Sequence, residues 1–359
     1  MKIDVALCSE ILGVPESHFD RAREVAARME RDPLAMGLAQ TVLDALARGD
    51  RWEAVGTCRA AKEYFQRTAP ELVGGVYPAL FALSTPEALR RMREGGTSEE
   101  IARDTLSDYG VWARAYRRQT GEDGFGEMEW ELGFHAGRIV KLGRLQFERS
   151  VFHAPYALWR DRRSGEIVPV PHPGEAVDEN GWLAQGAPAA FTTVQEIRGN
   201  ALRANAVDTV GARILPETVE LPLDAMEPLL TDGMRTLNIH LPETGPLTDG
   251  GVADSLARAK AFFGAEGYPC RAAVCESWLL DPALLTYGDG CGNICRFQRR
   301  FAKYPEKVTE SDAVNRVFGR GTSAEDPSLL PEDTRLQRGL KAWLVGGKPL
   351  RDAGGALLL

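Results

Sequence analysis

Residues 235–279 read RTLNIHLPETGPLTDGGVADSLARAKAFFGAEGYPCRAAVCESWL, and the hydrophobic period changes twice along them. Arg235 to Leu241 alternates, with Leu237, Ile239 and Leu241 on one face and Thr236, Asn238 and His240 on the other, as a strand requires. A turn-rich loop, Pro242 to Thr248, follows. Thr248 can cap a helix from Asp249 to Phe263, whose Val252, Leu256, Ala259, Phe262 and Phe263 form an apolar stripe. Arg271 to Leu279 reads as a second strand. Strand, crossover helix and strand predict a right-handed parallel βαβ unit.

Such a unit sets the helix N-terminus beside the end of the first strand. Unpaired N–H groups and the positive end of the helix dipole gather there, which suits a phosphate or pyrophosphate. Gly245, Gly250 and Gly251 let a ligand approach the backbone, and Leu247, Thr248 and Asp249 complete the loop. The spacing alone is equally that of a βαβ turn that binds nothing.

Upstream, the first 120 or so residues read as helices. Ser17 can cap His18 to Arg31, with Phe19, Ala22, Val25, Ala26 and Met29 at helical spacing, and Pro33 breaks the segment. Further helices are expected at Leu34 to Ala47, Trp52 to Arg67 and Glu71 to Leu83. Ser84-Thr85-Pro86-Glu87 and Thr97-Ser98-Glu99-Glu100 each read as the start of another, the last reaching about Gln119. The helix-turn-helix look of Thr97 to Ala115 is rejected, because Glu99, Glu100, Asp104 and Asp108 would repel a phosphate backbone. His18 and Cys58 are lone polar positions, read as packing or surface residues.

Gly121 to Gly126 marks a boundary, after which the period falls to two. Ile139 to Phe147, Ala154 to Trp159, Ile167 to Val170, Phe191 to Ile197 and Thr218 to Leu221 read as strands, with Arg162 to Gly165 a hairpin turn. Pro171 to Gln185 reads as an exposed loop, and the Gly-rich 346–359 as a loosely held tail.

Composition limits the possible functions. A net charge of −8 argues against nucleic acid as a partner, since phosphate neutralisation needs a concentrated basic surface. No stretch approaches the roughly 20 apolar residues of a membrane span, and Met1 to Leu12 carries no secretory pattern, so no membrane association and a cytoplasmic location are expected. Cys270, Cys275, Cys291 and Cys295 lie close in sequence, but the first spacing is wide for zinc, and buried reduced thiols are expected rather than a metal.

Several motifs then recur in a familiar order: Leu142-Gly143-Arg144-Leu145-Gln146-Phe147-Glu148, His240-Leu241-Pro242-Glu243 with Gly245-Pro246-Leu247, and Ser277-Trp278-Leu279-Leu280-Asp281-Pro282. Arg296-Phe297-Gln298-Arg299-Arg300-Phe301, Val317-Phe318-Gly319 and Leu330-Pro331-Glu332-Asp333-Thr334 continue it. With them the chain, to about Trp343, resembles bacterial two-domain proteins that join an N-acyltransferase N-terminal helical domain to a GNAT-like C-terminal domain. The resemblance implies an α+β/α/β chain. An all-helical domain over 1–125 precedes a GNAT-like mixed-sheet domain over 126–345 that contains the βαβ unit, and the tail follows. It also implies acetyl-CoA or another acyl-CoA as co-substrate. The donor would lie in a gap between the two strands, with its pyrophosphate on the helix N-terminus. The usual signature there is Arg or Gln followed by Gly-x-Gly; this loop reads Glu243-Thr244-Gly245-Pro246-Leu247-Thr248, and Pro246 removes one N–H.

Acyl transfer to an amine needs a base, oxyanion donors and an acid for the leaving thiolate. Glu276, in phase with Val274 and Trp278, is one base candidate; it reads equally as a structural carboxylate paired with Arg296 or Arg300. His240, on the polar face of the first strand, is the other, or else a histidine bonded to the adjoining turn. Ser277 has no nucleophile-elbow context. Arg296, Gln298 and Arg300 read as one strand face, either an anion clamp for the cofactor or a solvated stripe, and Arg144 and Glu148 as an ion pair within a strand. The sequence thus supports two functions. One is an acyl-CoA-dependent N-acyltransferase acting on a small-molecule amine with Glu276 or His240 as base. The other is a non-catalytic ligand-binding or interaction protein on the same scaffold.

Overall fold

The computed structural model describes residues 1–186, 188–287, 292–306, 312–319 and 321–359. They form two compact units, residues 1–148 with 241–244, and residues 149–240 with 245–359.

The first unit holds α1 (Val5–Leu12), α2 (Asp20–Arg31), α3 (Pro33–Ala47), α4 (Arg51–Thr68), α5 (Val76–Glu94), α6 (Glu99–Leu106), α7 (Asp108–Thr120) and α8 (Met128–His135). Strand β1 (Ile139–Leu142) then pairs antiparallel with β2 (Leu145–Val151), whose last residues pass into the second unit. The expected single strand from Ile139 is therefore a hairpin, turned at Gly143, whose φ of 69° suits glycine. Arg144 sits in that turn, and Glu148 takes Arg51 (3.3 Å) and Arg138 (3.4 Å) as ion-pair partners.

Pro33 starts α3 rather than merely ending α2, because Asp32 caps the N–H groups of Leu34 and Ala35 and the proline N1 position needs no donor. Ser98 caps α6 as its sequence predicts. Ser84-Thr85-Pro86 starts nothing: α5 runs through Pro86. The Ser84 and Thr85 hydroxyls bond back to the Phe81 carbonyl (3.1 and 2.7 Å). The Ala82 carbonyl, which Pro86 cannot serve, accepts the buried Cys8 thiol at 3.3 Å. Asp108, expected on a polar face, is buried and accepts bonds from Trp112 (2.9 Å), Trp130 (3.1 Å) and Gln146 (2.7 Å). His18 is buried as well, its Nε2 2.8 Å from the Tyr109 hydroxyl.

A second polar chain crosses the helical core. Ser84 Oγ lies 3.1 Å from the Phe81 carbonyl and 2.8 Å from His135 Nδ1, sharing a hydrogen bond with each. The group facing Nε2 is Glu131, with Oε1 at 3.5 Å. Glu131 and His135 are fully buried. Burial pushes the Glu131 carboxyl well above its ordinary range and holds the His135 imidazole down to about 3, so both are neutral.

The second unit holds β3 (Tyr156–Asp161), β4 (Ile167–Pro171), β5 (Ala176–Val177), β6 (Phe191–Thr192), β7 (Gln195–Arg198), β8 (Ala201–Asp208), β9 (Arg213–Pro222), β10 (Met226–Leu230) and β11 (Arg235–His240). After these come α9 (Asp249–Ala265), β12 (Ala272–Ser277), α10 (Leu284–Tyr287), α11 (Asn293–Gln298), β13 (Ala302–Pro305), α12 (Ala313–Phe318), α13 (Arg335–Val345) and β14 (Ala353–Leu358). The β3–β4 turn is the expected one, with Asp161 accepting from the N–H groups of Arg163 and Ser164. The segment expected as an exposed loop carries β5, paired with β6, and buried Val177 and Leu183. Four strands lie in the order β11-β12-β14-β13: β12 is parallel to β11, and β14 is antiparallel to both β12 and β13. The βαβ unit thus stands as the alternation and the Thr248 cap require.

Two expectations fail here. The tail expected to be loose supplies β14, a buried strand flanked on both edges. Its glycines are required by packing: a Cβ on Gly354 would run into the Tyr304 ring, and one on Gly355 would lie 2.9 Å from Phe301 Cβ. The stretch Arg296 to Arg300 is not a strand but α11 and the turn after it. Phe297 in α11 and Phe301 just past it meet as a tilted ring pair with centroids 5.0 Å apart.

Candidate active site

The parallel ladder between β11 and β12 runs through Leu237↔Ala273 and Asn238↔Val274. Two residues further along each strand stand His240 and Glu276, past the last paired positions and in matching register. The two sequence-derived base candidates are therefore brought together, and the charge of His240 acts on the Glu276 carboxyl. Surrounding protein desolvates that carboxyl and pushes it above its ordinary value, with His240 opposing, while the side chain keeps an open path to solvent. Glu276 makes no ion pair among the described residues, so neither Arg296 nor Arg300 neutralises it. Ser277 caps the short turn after β12 by accepting from the Leu279 N–H (3.1 Å), a structural task.

Past His240 the chain turns into α9. Thr248 accepts the Gly251 N–H at 3.2 Å, and Val252 N–H returns to the Thr248 carbonyl. The N–H groups of Asp249 and Gly250 have no acceptor among the described residues and point out of the helix mouth. Space is open where a Cβ on Gly250 or Gly245 would lie, and Gly245 has a φ of 67°. Leu247 is buried and anchors the loop.

Arg300 reaches this mouth, bonding the Asp249 carboxylate at 2.6 Å, and its buried Nε has no hydrogen-bond partner among the described residues. Arg296 donates instead to Asn293 on its own helix, and Gln298 is buried, donating to the Leu279 and Asp281 carbonyls. The expected two-arginine clamp of Arg296 and Arg300 is thus reduced to Arg300. Two open N–H groups, one guanidinium and two glycines fit an anionic group; the Asp249 carboxylate opposes it, and Arg300 offsets that charge.

Sequence reasoning missed Tyr304 and the Asp249 pairing. Tyr304 shares a row with Glu276 across Gly354, its ring leans over that glycine, and its buried hydroxyl has no partner among the described residues. The glycine pair in 346–359 was its one sequence signal. Cys275 and Cys295 are buried free thiols, Cys270 is half-buried, and Cys291 lies outside the described residues. Among the described residues no group of three His, Cys, Asp or Glu is placed to hold a metal, and no helix is long and apolar enough to cross a membrane.

Residues 139–357 match the GNAT-like C-terminal domain, and residues 4–135 match the N-acyltransferase N-terminal domain. The chain belongs to this two-domain N-acyltransferase family. An acyltransferase solved in complex with decanoyl-CoA and teicoplanin is similar at a TM-score of 0.63 and 19% identity, over 99% of this chain and 87% of that one. An acyltransferase mutant with octanoyl-CoA follows at 0.61 and 20%, over 99% and 87%. An acyltransferase with decanoyl-CoA alone stands at 0.57 and 18%, over 99% and 100%. At these identities the likeness is one of fold, and no curated protein matches the chain.

Proposed function

We propose that the protein is an acyl-CoA-dependent N-acyltransferase. The observation that carries this reading is the placement of His240 and Glu276 in matching register just past the end of the β11–β12 ladder, with the α9 mouth next along the chain. Family membership supports it, as do the solved relatives with bound decanoyl-CoA and octanoyl-CoA. The donor's phosphates would meet the Asp249 and Gly250 N–H groups and Arg300. Glu276, with its carboxyl raised above its ordinary value by desolvation, takes the proton from the acceptor ammonium. The freed amine attacks the thioester carbonyl, the C–N bond forms, the C–S bond breaks, and the leaving thiolate takes the proton that the new amide nitrogen sheds.

The second reading, ligand binding without turnover, draws on the Asp249 carboxylate at the helix mouth and on Pro246 in the loop. Thiol release from octanoyl-CoA in the presence of a primary amine separates the two. The enzyme reading expects amine-dependent release that Glu276→Gln abolishes; octanoyl-CoA binding with no release under any amine favours the second.

A further inference from the structure

A cavity of about 430 Å³ opens at the β13 edge of the sheet in the second unit, with Ile167, Leu256, Arg300, Ala302, Leu357 and Leu358 in its lining. Its floor follows from where β13 begins. Ala302, the first residue of β13, pairs with Ala356, so β14 runs on through Leu357 and Leu358 with no described strand on that side. Hydrogen-bonding sides alternate along an antiparallel strand. Leu359 N–H bonds the Arg271 carbonyl at 3.1 Å, on the β12 side, so the N–H and C=O of Leu358 point the other way, out of the open edge. Neither has a partner among the described residues.

The walls are apolar. Leu357 and Leu358 lie on opposite faces of the sheet, as neighbours on a strand must. Ile167, at the start of β4, packs with the core that holds Ala356, and α9 supplies Leu256. Arg300 joins this slot to the α9 mouth. Its Nη2 holds the Asp249 carboxylate, its buried Nε has no partner among the described residues, and its Nη1 makes no hydrogen bond to any of them.

A flat heterocycle is the ligand that these features select. Its faces would meet the apolar walls, and the floor asks for an edge with an acceptor beside a donor. Adenine has that edge in N1 and its 6-amino group, and an adenine nucleotide also brings phosphate to a free guanidinium nitrogen. We infer that the slot takes the adenine of the acyl-CoA donor. N1 accepts from the Leu358 N–H, the amino group donates to the Leu358 carbonyl, and Arg300 serves the nucleotide's phosphates. The donor is then read at its nucleotide end as well as at its thioester, which sets CoA apart from a phosphopantetheine arm without adenosine. That the nucleotide belongs to an acyl donor rests on the acyltransferase reading; the affinity for an adenine nucleotide does not.

The test is titration calorimetry of the full chain with octanoyl-CoA, its 1,N6-etheno derivative, S-octanoyl-4′-phosphopantetheine and adenosine 3′,5′-bisphosphate. In the etheno derivative a fused ring closes the N1 and amino edge of the adenine. Octanoyl-CoA is expected to bind about tenfold or more tighter than either the etheno derivative or the phosphopantetheine, and the adenosine bisphosphate to bind by itself. Leu256→Trp and Ile167→Trp, which fill the slot from two different elements, should each remove that advantage and leave octanoyl phosphopantetheine affinity within about twofold. Equal affinity for octanoyl-CoA and its etheno derivative, no adenosine bisphosphate binding at millimolar concentration, or an advantage that survives in both variants would overturn the inference. Nucleotide binding as expected, with no amine-dependent thiol release from octanoyl-CoA, would remove the acyl-transfer reading and leave the adenine slot standing. Amine-dependent release with no preference for the intact adenine edge would do the reverse.

Discussion

His240 and Glu276 occupy equivalent positions on two parallel strands, each two residues beyond the last paired residue. If Glu276 is the base, Glu276→Gln lowers turnover by at least about 100-fold and leaves octanoyl-CoA affinity unchanged. Its carboxyl is raised, and the working form is ionised. The acid limb of kcat/KM should therefore fall off above the ordinary glutamate value of about 4.5 and vanish in the variant. A limb that survives in Glu276→Gln and disappears in His240→Gln reassigns the base.

Arg300 and Asp249 make opposite contributions at the α9 mouth. Arg300→Ala should weaken octanoyl-CoA by about tenfold. Asp249→Asn, which removes the opposing charge and frees Arg300, should tighten it by about threefold. Equal effects of the same sign would show that the pair acts as a structural clip and not as part of an anion site.

Gly354 is in close contact with the Tyr304 ring and with Glu306. Gly354→Ala is expected to cost about 1–3 kcal/mol in urea unfolding, because the neighbouring ring and the strand backbone have little room to retreat. A cost below about 0.5 kcal/mol would mean that the ring moves freely.

These contacts also show which parts of the chain were legible. The βαβ unit was readable because strand alternation, the Thr248 cap and the α9 stripe agree with one another. The carboxyl-terminal strand was hidden because Gly354 and Gly355 resemble a flexible tail, and only the distant Tyr304 and Phe301 explain them. Arg296 to Arg300 misled because alternating charge and aromatic residues imitate period two over so short a span. The neighbours that would have marked a helix, Cys295 and Gln298, are buried against segments remote in sequence. His240 and Glu276 could be proposed singly, but their shared register depends on where the ladder stops.

The buried chain from Ser84 through His135 to Glu131 was invisible for the same reason, being assembled across 51 positions. It makes a stability prediction. Folded Glu131 keeps its proton while the unfolded chain loses it above about 4.5, so this group's contribution declines as pH rises through that point. His135 acts in the opposite sense: its contribution is full above 6.5 and is lost as pH falls toward about 3. Glu131→Gln removes only the first effect. Its stability relative to wild type should therefore climb with pH above 4.5, by up to about 1.4 kcal/mol per pH unit. A loss that does not change with pH above 4.5 would instead show that Glu131 is not protonated in the folded protein.

The claim on which the rest depends is that this chain takes an acyl-CoA at the α9 mouth, and titration calorimetry with octanoyl-CoA tests it most directly. The account predicts saturable one-to-one binding that Arg300→Ala weakens. Absence of binding heat at millimolar octanoyl-CoA, in a protein whose helical and strand content is intact, would contradict it.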